Sequence, residues 1–160
     1  MQSVTIRTAR AEDAGAIHGL IAELAEFEKL THLLIATEQS LRDALADAQP
    51  RVECLVAERD SEVVAYALFF HNYSTFLGRR GLYLEDLYVS PKARRGGIAT
   101  MMLRRLATIA VERQCGRFEW TVLDWNEPAI QFYQSLGASV LPEWRVVRMA
   151  GDALESFAKA

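Results

Sequence analysis

Two adjacent carboxylates in an apolar stretch, followed closely by a basic, glycine-containing turn, are the residues of this chain best suited to chemistry. The segment reads Tyr83-Leu84-Glu85-Asp86-Leu87-Tyr88-Val89-Ser90-Pro91-Lys92-Ala93-Arg94-Arg95-Gly96-Gly97-Ile98-Ala99. Small residues let a backbone approach a ligand closely. The first amides of a helix lack internal partners and point outward with the positive end of the dipole, so a pyrophosphate docks there readily. Lys92, Arg94 and Arg95 add positive charge at the same mouth. The plainer reading is a tight strand-to-helix turn with solvated basic residues. The pattern is neither a P-loop nor GxGxxG.

Glu85 and Asp86 admit two readings as well. Successive strand residues face opposite sides of a sheet, so one apolar strand would carry a carboxylate on each face. Such groups are costly to bury unless paired or hydrogen-bonded, which favours structural salt bridges. The alternative is a base beside a bound cofactor.

These residues need a scaffold, and the chain supplies one. Val4, Thr5, Ile6 and Arg7 alternate as a first strand does. A helix over 12–29 places Ile17, Leu20, Ile21 and Leu24 on one face. Thr37 caps a second helix bearing Leu41 and Leu45. Strands are expected over 52–58 and 62–70, joined at Arg59-Asp60-Ser61, and over 81–89, where Pro91 stops the ladder. A helix over 97–114, a strand over 118–122 and a helix over 126–136 closed by Gly137 follow. Two last strands over 138–141 and 145–149, then a short helix from Asp152, complete the order. The expectation is one α/β (α+β) domain over residues 1–160, with a mixed sheet of about seven strands and helices on both faces.

Composition bounds the partners. The chain has 160 residues, 51% hydrophobic and 24% charged, with net charge -3. That is an ordinary globular balance. An acidic chain with no basic stripe is a poor nucleic-acid binder. No stretch approaches the roughly 20 apolar residues of a membrane span, and the N-terminus lacks a signal-peptide core. Cys54 and Cys115 form neither a CxxC pair nor a disulfide framework, which suits free thiols in a cytoplasmic protein. No metal-ligand spacing is present. His18, His32 and His71 join no constellation and read as structural or surface residues, with His71 a candidate for the wall of an acceptor cleft.

Two motifs carry a family resemblance. Arg94-Arg95-Gly96-Gly97-Ile98-Ala99 resembles the acetyl-CoA signature of the GNAT superfamily, Arg/Gln-x-x-Gly-x-Gly/Ala. Asn126-Glu127-Pro128-Ala129-Ile130-Gln131-Phe132-Tyr133-Gln134-Ser135-Leu136-Gly137-Ala138 resembles that superfamily's Asn-x-x-Ala-x-x-Phe-Tyr element. Further segments, including Leu82 to Val89, Trp125-Asn126-Glu127-Pro128 and Glu143-Trp144-Arg145, are similar to the diamine (spermidine/spermine) and thialysine acetyltransferase branch. The resemblance spans nearly the whole chain. It implies the GNAT fold, a homodimer, acetyl-CoA as co-substrate and a small primary amine as acceptor. Ser74-Thr75-Phe76 stand where that branch's polyamine enzymes carry Asp-Pro-Trp, so a carboxylate suited to a long polycation is missing. Arg10 replaces a helix-capping Thr. The expected acceptor is a diamine, a polyamine or a lysine-like amino acid, the missing carboxylate favouring the lysine-like amine slightly over a long polyamine. An aminoglycoside, a peptide amine or a non-catalytic CoA-binding module are the alternatives.

The implied chemistry assigns roles. An ammonium with a pKa near 10.4 must lose a proton before it attacks the thioester. The site therefore needs a base, an oxyanion donor and an acid for the leaving thiolate. By resemblance, Tyr133 is the acid and Glu85 the base through water, with Asp86 as the substitute base or a ligand of the substrate ammonium. The plainer reading packs Tyr133 as a core aromatic, a part that suits Phe132 better, and the two motifs together favour the acid role. The Leu87 amide serves as oxyanion donor. Leu87, Tyr88, Val89, Arg94, Arg95, Gly96, Gly97, Ile98, Ala99, Asn126 and Tyr133 would hold acetyl-CoA. Phe27, Glu28, Phe76, Glu85, Asp86 and Trp125 would line the amine site.

Overall fold

The computed structural model describes residues 3–159. The chain divides into two compact units, one ending at Thr121 and one beginning at Val122.

The first unit contains β1 (Val4–Thr8), α1 (Ala14–Phe27), α2 (Glu38–Ala46), β2 (Glu53–Arg59), β3 (Glu62–Ser74), β4 (Arg79–Val89), α3 (Ile98–Glu112) and β5 (Phe118–Glu119). The strands form one mixed sheet in sequence order. β1 to β4 are antiparallel and β5 runs parallel to β4. β2 and β3 join through Asp60 and Ser61, both at positive φ (52° and 62°). That conformation matches the right-handed twist of a hairpin, as the polar Arg59-Asp60-Ser61 connection predicts.

Side-chain alternation sorts the core into two layers. Cys54, Val56, Tyr66 and Tyr88 pack with Ala14, Ile17 and Leu20 of α1 and Leu41 of α2. Leu55, Ala57, Ala65, Ala67 and Phe69 alternate to the opposite face, and α3 packs on β1, β2 and β4. Helices therefore cover both faces. Thr37 caps α2 as its sequence predicts: Ser40 N–H donates to Thr37 Oγ1 at 3.1 Å and Thr37 N–H to Ser40 Oγ at 3.0 Å. Arg7 links β1 to its surroundings, bonding both oxygens of Asp13 (2.8 and 2.9 Å) and Glu58 (2.9 Å).

β4 holds the main irregularity. Leu68 pairs with Asp86 and Phe69 with Leu84, so Glu85 is the extra residue of a β-bulge. Across it the alternation slips by one. Leu82 and Leu84 share a face before the bulge, while Leu87 and Val89 continue that face after it.

The second unit contains α4 (Glu127–Ser135) and α5 (Gly151–Ala158). Gly137, at φ 92°, ends α4. Its N–H donates to Gln134 C=O (3.0 Å) and Ala138 N–H to Tyr133 C=O (3.1 Å), a complete Schellman closure. The seven-strand expectation needs correction here. Residues 138–141 and 145–149 form no strands, and the described sheet has five. Alternating apolar sequence becomes a strand only against a partner backbone, and these segments find none among the described residues. The strand expected over 118–122 shortens to Phe118–Glu119 for the same reason.

Candidate active site

The bulge at Glu85 decides which backbone groups of β4 are available. Ser90 N–H donates to Val64 C=O of β3 at 2.9 Å. Strand groups alternate in direction, so the N–H and C=O of Leu87 and Val89 point away from β3. On that side β5 pairs only with Leu82 and Tyr83. The Leu87 amide and the Val89 amide and carbonyl thus lie along an open edge. The break in β3–β4 pairing falls at Glu85, two residues before Leu87.

The edge leads into the turn. Pro91–Ala93 form a short 3-10 turn, then Arg95 and Gly97 take left-handed φ values of 66° and 71°. Met101 N–H is bonded to Gly97 C=O at 3.0 Å, so the Ile98, Ala99 and Thr100 amides precede the first helical bond of α3. These are the donors a pyrophosphate uses. Ile98 is buried and anchors the turn, while Gly96 and Gly97 are exposed. Arg94 turns back toward α1. Its Nε donates to Val89 C=O at 3.1 Å, and its guanidinium lies 5.5 Å from the Tyr88 ring centroid and 5.9 Å from that of Phe27.

Acidic groups gather on the α1 side of β4. Glu85, at the bulge, is exposed, whereas Asp86 is half-buried. Burial, with the charges of Glu85 and Glu28, pushes the Asp86 carboxyl up to about 6. Burial also raises the Glu28 carboxyl. Glu28 sits where α1 ends: Lys29, at φ 61°, and Leu30 donate back to Glu26 C=O (3.0 Å) and Ala25 C=O (2.8 Å). That Schellman closure fixes the direction of Phe27 and Glu28. Burial and Glu23 raise the Tyr88 hydroxyl, and Arg94 opposes them.

The structure thus brings Phe27, Glu28, Glu85, Asp86, Tyr88 and Arg94 into one region of the first unit. Phe76 is fully exposed on the loop between β3 and β4 and packs on nothing among the described residues. His71 lies on the α3 face of β3 instead of the acidic region. Its Nε2 is 2.9 Å from Arg113, which only donates, so Nδ1–H donates to Gly81 C=O at 2.9 Å. In the second unit Asn126 N–H donates to Leu123 C=O (2.9 Å) and Ile130 N–H to Asn126 C=O (3.1 Å), which sets the start of α4. Trp125 immediately precedes it and Tyr133 lies on its last turn. Among the described residues no group of three His, Cys, Asp or Glu side chains is placed to hold a metal ion.

Sequence reasoning passed over Tyr66. It is wholly buried on β3, and its hydroxyl has no hydrogen-bond partner of full geometry among the described residues. The signal was there to read: one phenol in the otherwise apolar run Val63-Val64-Ala65-Tyr66-Ala67-Leu68.

A bulged strand therefore opens into a helix N-terminus beside a cluster of acidic side chains. The acetyltransferase (GNAT) family model matches residues 17–138, and the chain belongs to that family, whose donor is acetyl-CoA. It is 41% identical over 169 residues to thialysine N-epsilon-acetyltransferase of Mus musculus, covering 99% of each. It is 34% identical over 199 residues to L-ornithine N5-acetyltransferase of Arabidopsis thaliana, covering 96% of this chain and 87% of the relative. Among solved structures, an integron cassette protein from the mobile metagenome of V. cholerae superposes with a TM-score of 0.83 at 29% identity, covering 100% of both chains.

Proposed function

We propose that this enzyme transfers the acetyl group of acetyl-CoA to the primary amine of a small, lysine- or ornithine-like molecule, by direct attack within one ternary complex. The observation that carries the reading is the Glu85–Asp86 pair at the bulge beside the open edge of β4, where burial raises the Asp86 carboxyl. The relatives named for thialysine and ornithine support the acceptor class. The reading takes residues 1–160 as a single acetyltransferase domain, supported by a family match that runs from 17 to 138.

In this mechanism the pyrophosphate rests on the amides of Ile98, Ala99 and Thr100, with Arg95 and Gly97 shaping the turn. The pantetheine arm extends the sheet along Leu87, Tyr88 and Val89, as an added strand does. The Arg94 side chain leaves the Val89 carbonyl as the arm arrives, and Asn126 binds the same arm. Glu28 and the Glu85–Asp86 pair attract the acceptor ammonium, with Phe27, Phe76 and Trp125 as apolar walls. The ammonium proton passes to the pair. Glu85, through water, is the base that the resemblance implies; burial and the neighbouring acidic charges raise the Asp86 carboxyl, and on that ground Asp86, the more buried member, is taken as the final acceptor. The amine nitrogen then bonds to the thioester carbon, and the oxyanion accepts from Leu87 N–H. Such a preorganised donor contributes about 3 kcal/mol. The C–S bond breaks, the thiolate takes the Tyr133 proton, and the second proton of the attacking nitrogen passes to the phenolate directly or through solvent, leaving the neutral amide and a restored phenol.

The pH profile tests this. A carboxylate that must be ionised gives kcat/KM an acid limb with half-height near pH 6, the Asp86 value. An activity constant down to about pH 4, the ordinary carboxylate range, would contradict the base assignment.

We place the enzyme in the cytoplasm, supported by two cysteines that stay free thiols. Titration with a thiol reagent under native conditions should find both reduced. The reading includes a homodimer, supported by the family resemblance and by the two apolar alternating segments at 138–141 and 145–149 without strand partners. Sedimentation equilibrium should give twice the 18.0 kDa chain mass; a monomer at micromolar concentration would count against it.

A further inference from the structure

Tyr66 is a buried titratable group that the chemistry above does not use. The β3–β4 register places it. Leu68 pairs with Asp86 and Tyr66 with Tyr88, so Tyr66 and Asp86 are diagonal neighbours on the α1 face of the sheet. Diagonal cross-strand pairs lie within reach of an aromatic side chain. The Tyr66 side chain is 0% exposed, and its hydroxyl oxygen is one of two buried side-chain polar atoms without a fully formed hydrogen bond among the described residues. A buried hydroxyl without a fully formed bond is costly, so a site retaining one has a use for it.

We propose that Tyr66 is a positioning residue for acetyl transfer, its hydroxyl donating to the Asp86 carboxylate from beneath and keeping that group ionised as the amine approaches. The role rests on the base assignment given to Asp86. The groups facing Asp86 make the need clear. Glu28 at the end of α1 and Glu85 on β4 are both acidic and oppose its ionisation. Cys54 on β2 is buried, its thiol pushed up to about 12. Tyr66 on β3 is the one group among them that favours the charged form of Asp86. Burial and the Asp86 charge hold the phenol far above its ordinary range, so it remains a donor throughout the working pH of the enzyme. When acetyl-CoA and amine exclude water, the Asp86 oxygens lose solvent donors and the phenol replaces one of them.

The test is Tyr66→Phe, a change that removes one oxygen from the core and leaves the ring. Two titrations are compared with wild type. The Asp86 carboxyl is followed directly by 13C NMR in the free protein, assigned with Asp86→Asn. Loss of one hydrogen bond to the charged form should raise its midpoint by about 1 pH unit. The acid limb of kcat/KM should move upward by the same amount, so that activity falls several-fold at pH 6 and little at pH 9. Thermal stability should fall modestly above pH 6, where the ionised carboxylate loses its donor, and stay unchanged at pH 4, where the carboxyl is protonated. An unmoved Asp86 titration overturns the proposal. If the NMR midpoint moves and the acid limb does not, Tyr66 still binds Asp86 and it is the base assignment that fails.

Discussion

Tyr133→Phe should lower kcat by about 100-fold or more while the dissociation constant for acetyl-CoA stays within two-fold of wild type. The substitution removes the one proton on α4 suited to a leaving thiolate and keeps the ring beside Phe132, 5.5 Å away between centroids. Backbone disturbance is a poor rival explanation, because the Tyr133 carbonyl is held by the Ala138 amide at 3.1 Å in the closure around Gly137. The loss belongs at the lower end of the range for acid catalysis. A thiolate whose conjugate thiol has a pKa near 8.5 leaves moderately well unaided. Binding by isothermal calorimetry beside steady-state turnover separates the roles. Weak binding with intact kcat would make Tyr133 a cofactor contact alone, and unchanged turnover would remove it from the chemistry.

Asp86→Asn should produce the second large effect, with two parts of opposite sign. Turnover near pH 7.5 should fall about 100-fold or more as the proton acceptor disappears. Stability should increase. The Asp86 carboxyl is raised from 3.8 to about 6 in the folded protein, so between these values the folded state binds more protons than the unfolded one. Stability therefore declines as pH rises through that window, and above pH 6 the full penalty applies. Removing the charge should restore about 2 kcal/mol at pH 8 and almost nothing at pH 4, after discounting for solvent screening. That corresponds to a melting temperature about 4–8 °C higher at pH 8. Calorimetric melting of both proteins at the two pH values checks it. A destabilised Asp86→Asn at pH 8 would mean that the carboxylate is a structural acceptor and not a strained base. Glu85→Gln is the companion variant: it removes a neighbouring charge, so it should lower the acid limb below pH 6 where Asp86→Asn abolishes it.

Much of this was legible in the chain itself. Helix faces, the Thr37 cap, the hairpin at Asp60-Ser61 and the Gly137 closure follow from local residues, and the structure keeps them. The adjacent carboxylates and the basic turn announced the site. The bulge was written there too. Leu82 and Leu84 follow one alternation while Leu87 and Val89 follow the other, and only an extra residue reconciles them. What local pattern could not supply was depth. Glu85 and Asp86 look equivalent in sequence, yet Asp86 shares a face with Tyr66 and the α1 core whereas Glu85 is expelled at the bulge. Residues 138–149 show the opposite failure. Their alternation is strand-like, but a strand is a property of two backbones, and one chain's pattern cannot name the second.

The central claim is acetyl transfer to a small amine, and free-thiol release tests it most directly. Purified protein with acetyl-CoA should be offered thialysine, lysine, ornithine, putrescine, spermidine, an aminoglycoside and a peptide, with product mass read for each. The account predicts thiol release with thialysine or ornithine well above spermidine, the peptide and the aminoglycoside, and a product heavier by one acetyl group. Turnover confined to the peptide or the aminoglycoside, or acetyl-CoA binding with no turnover on any amine, would contradict it.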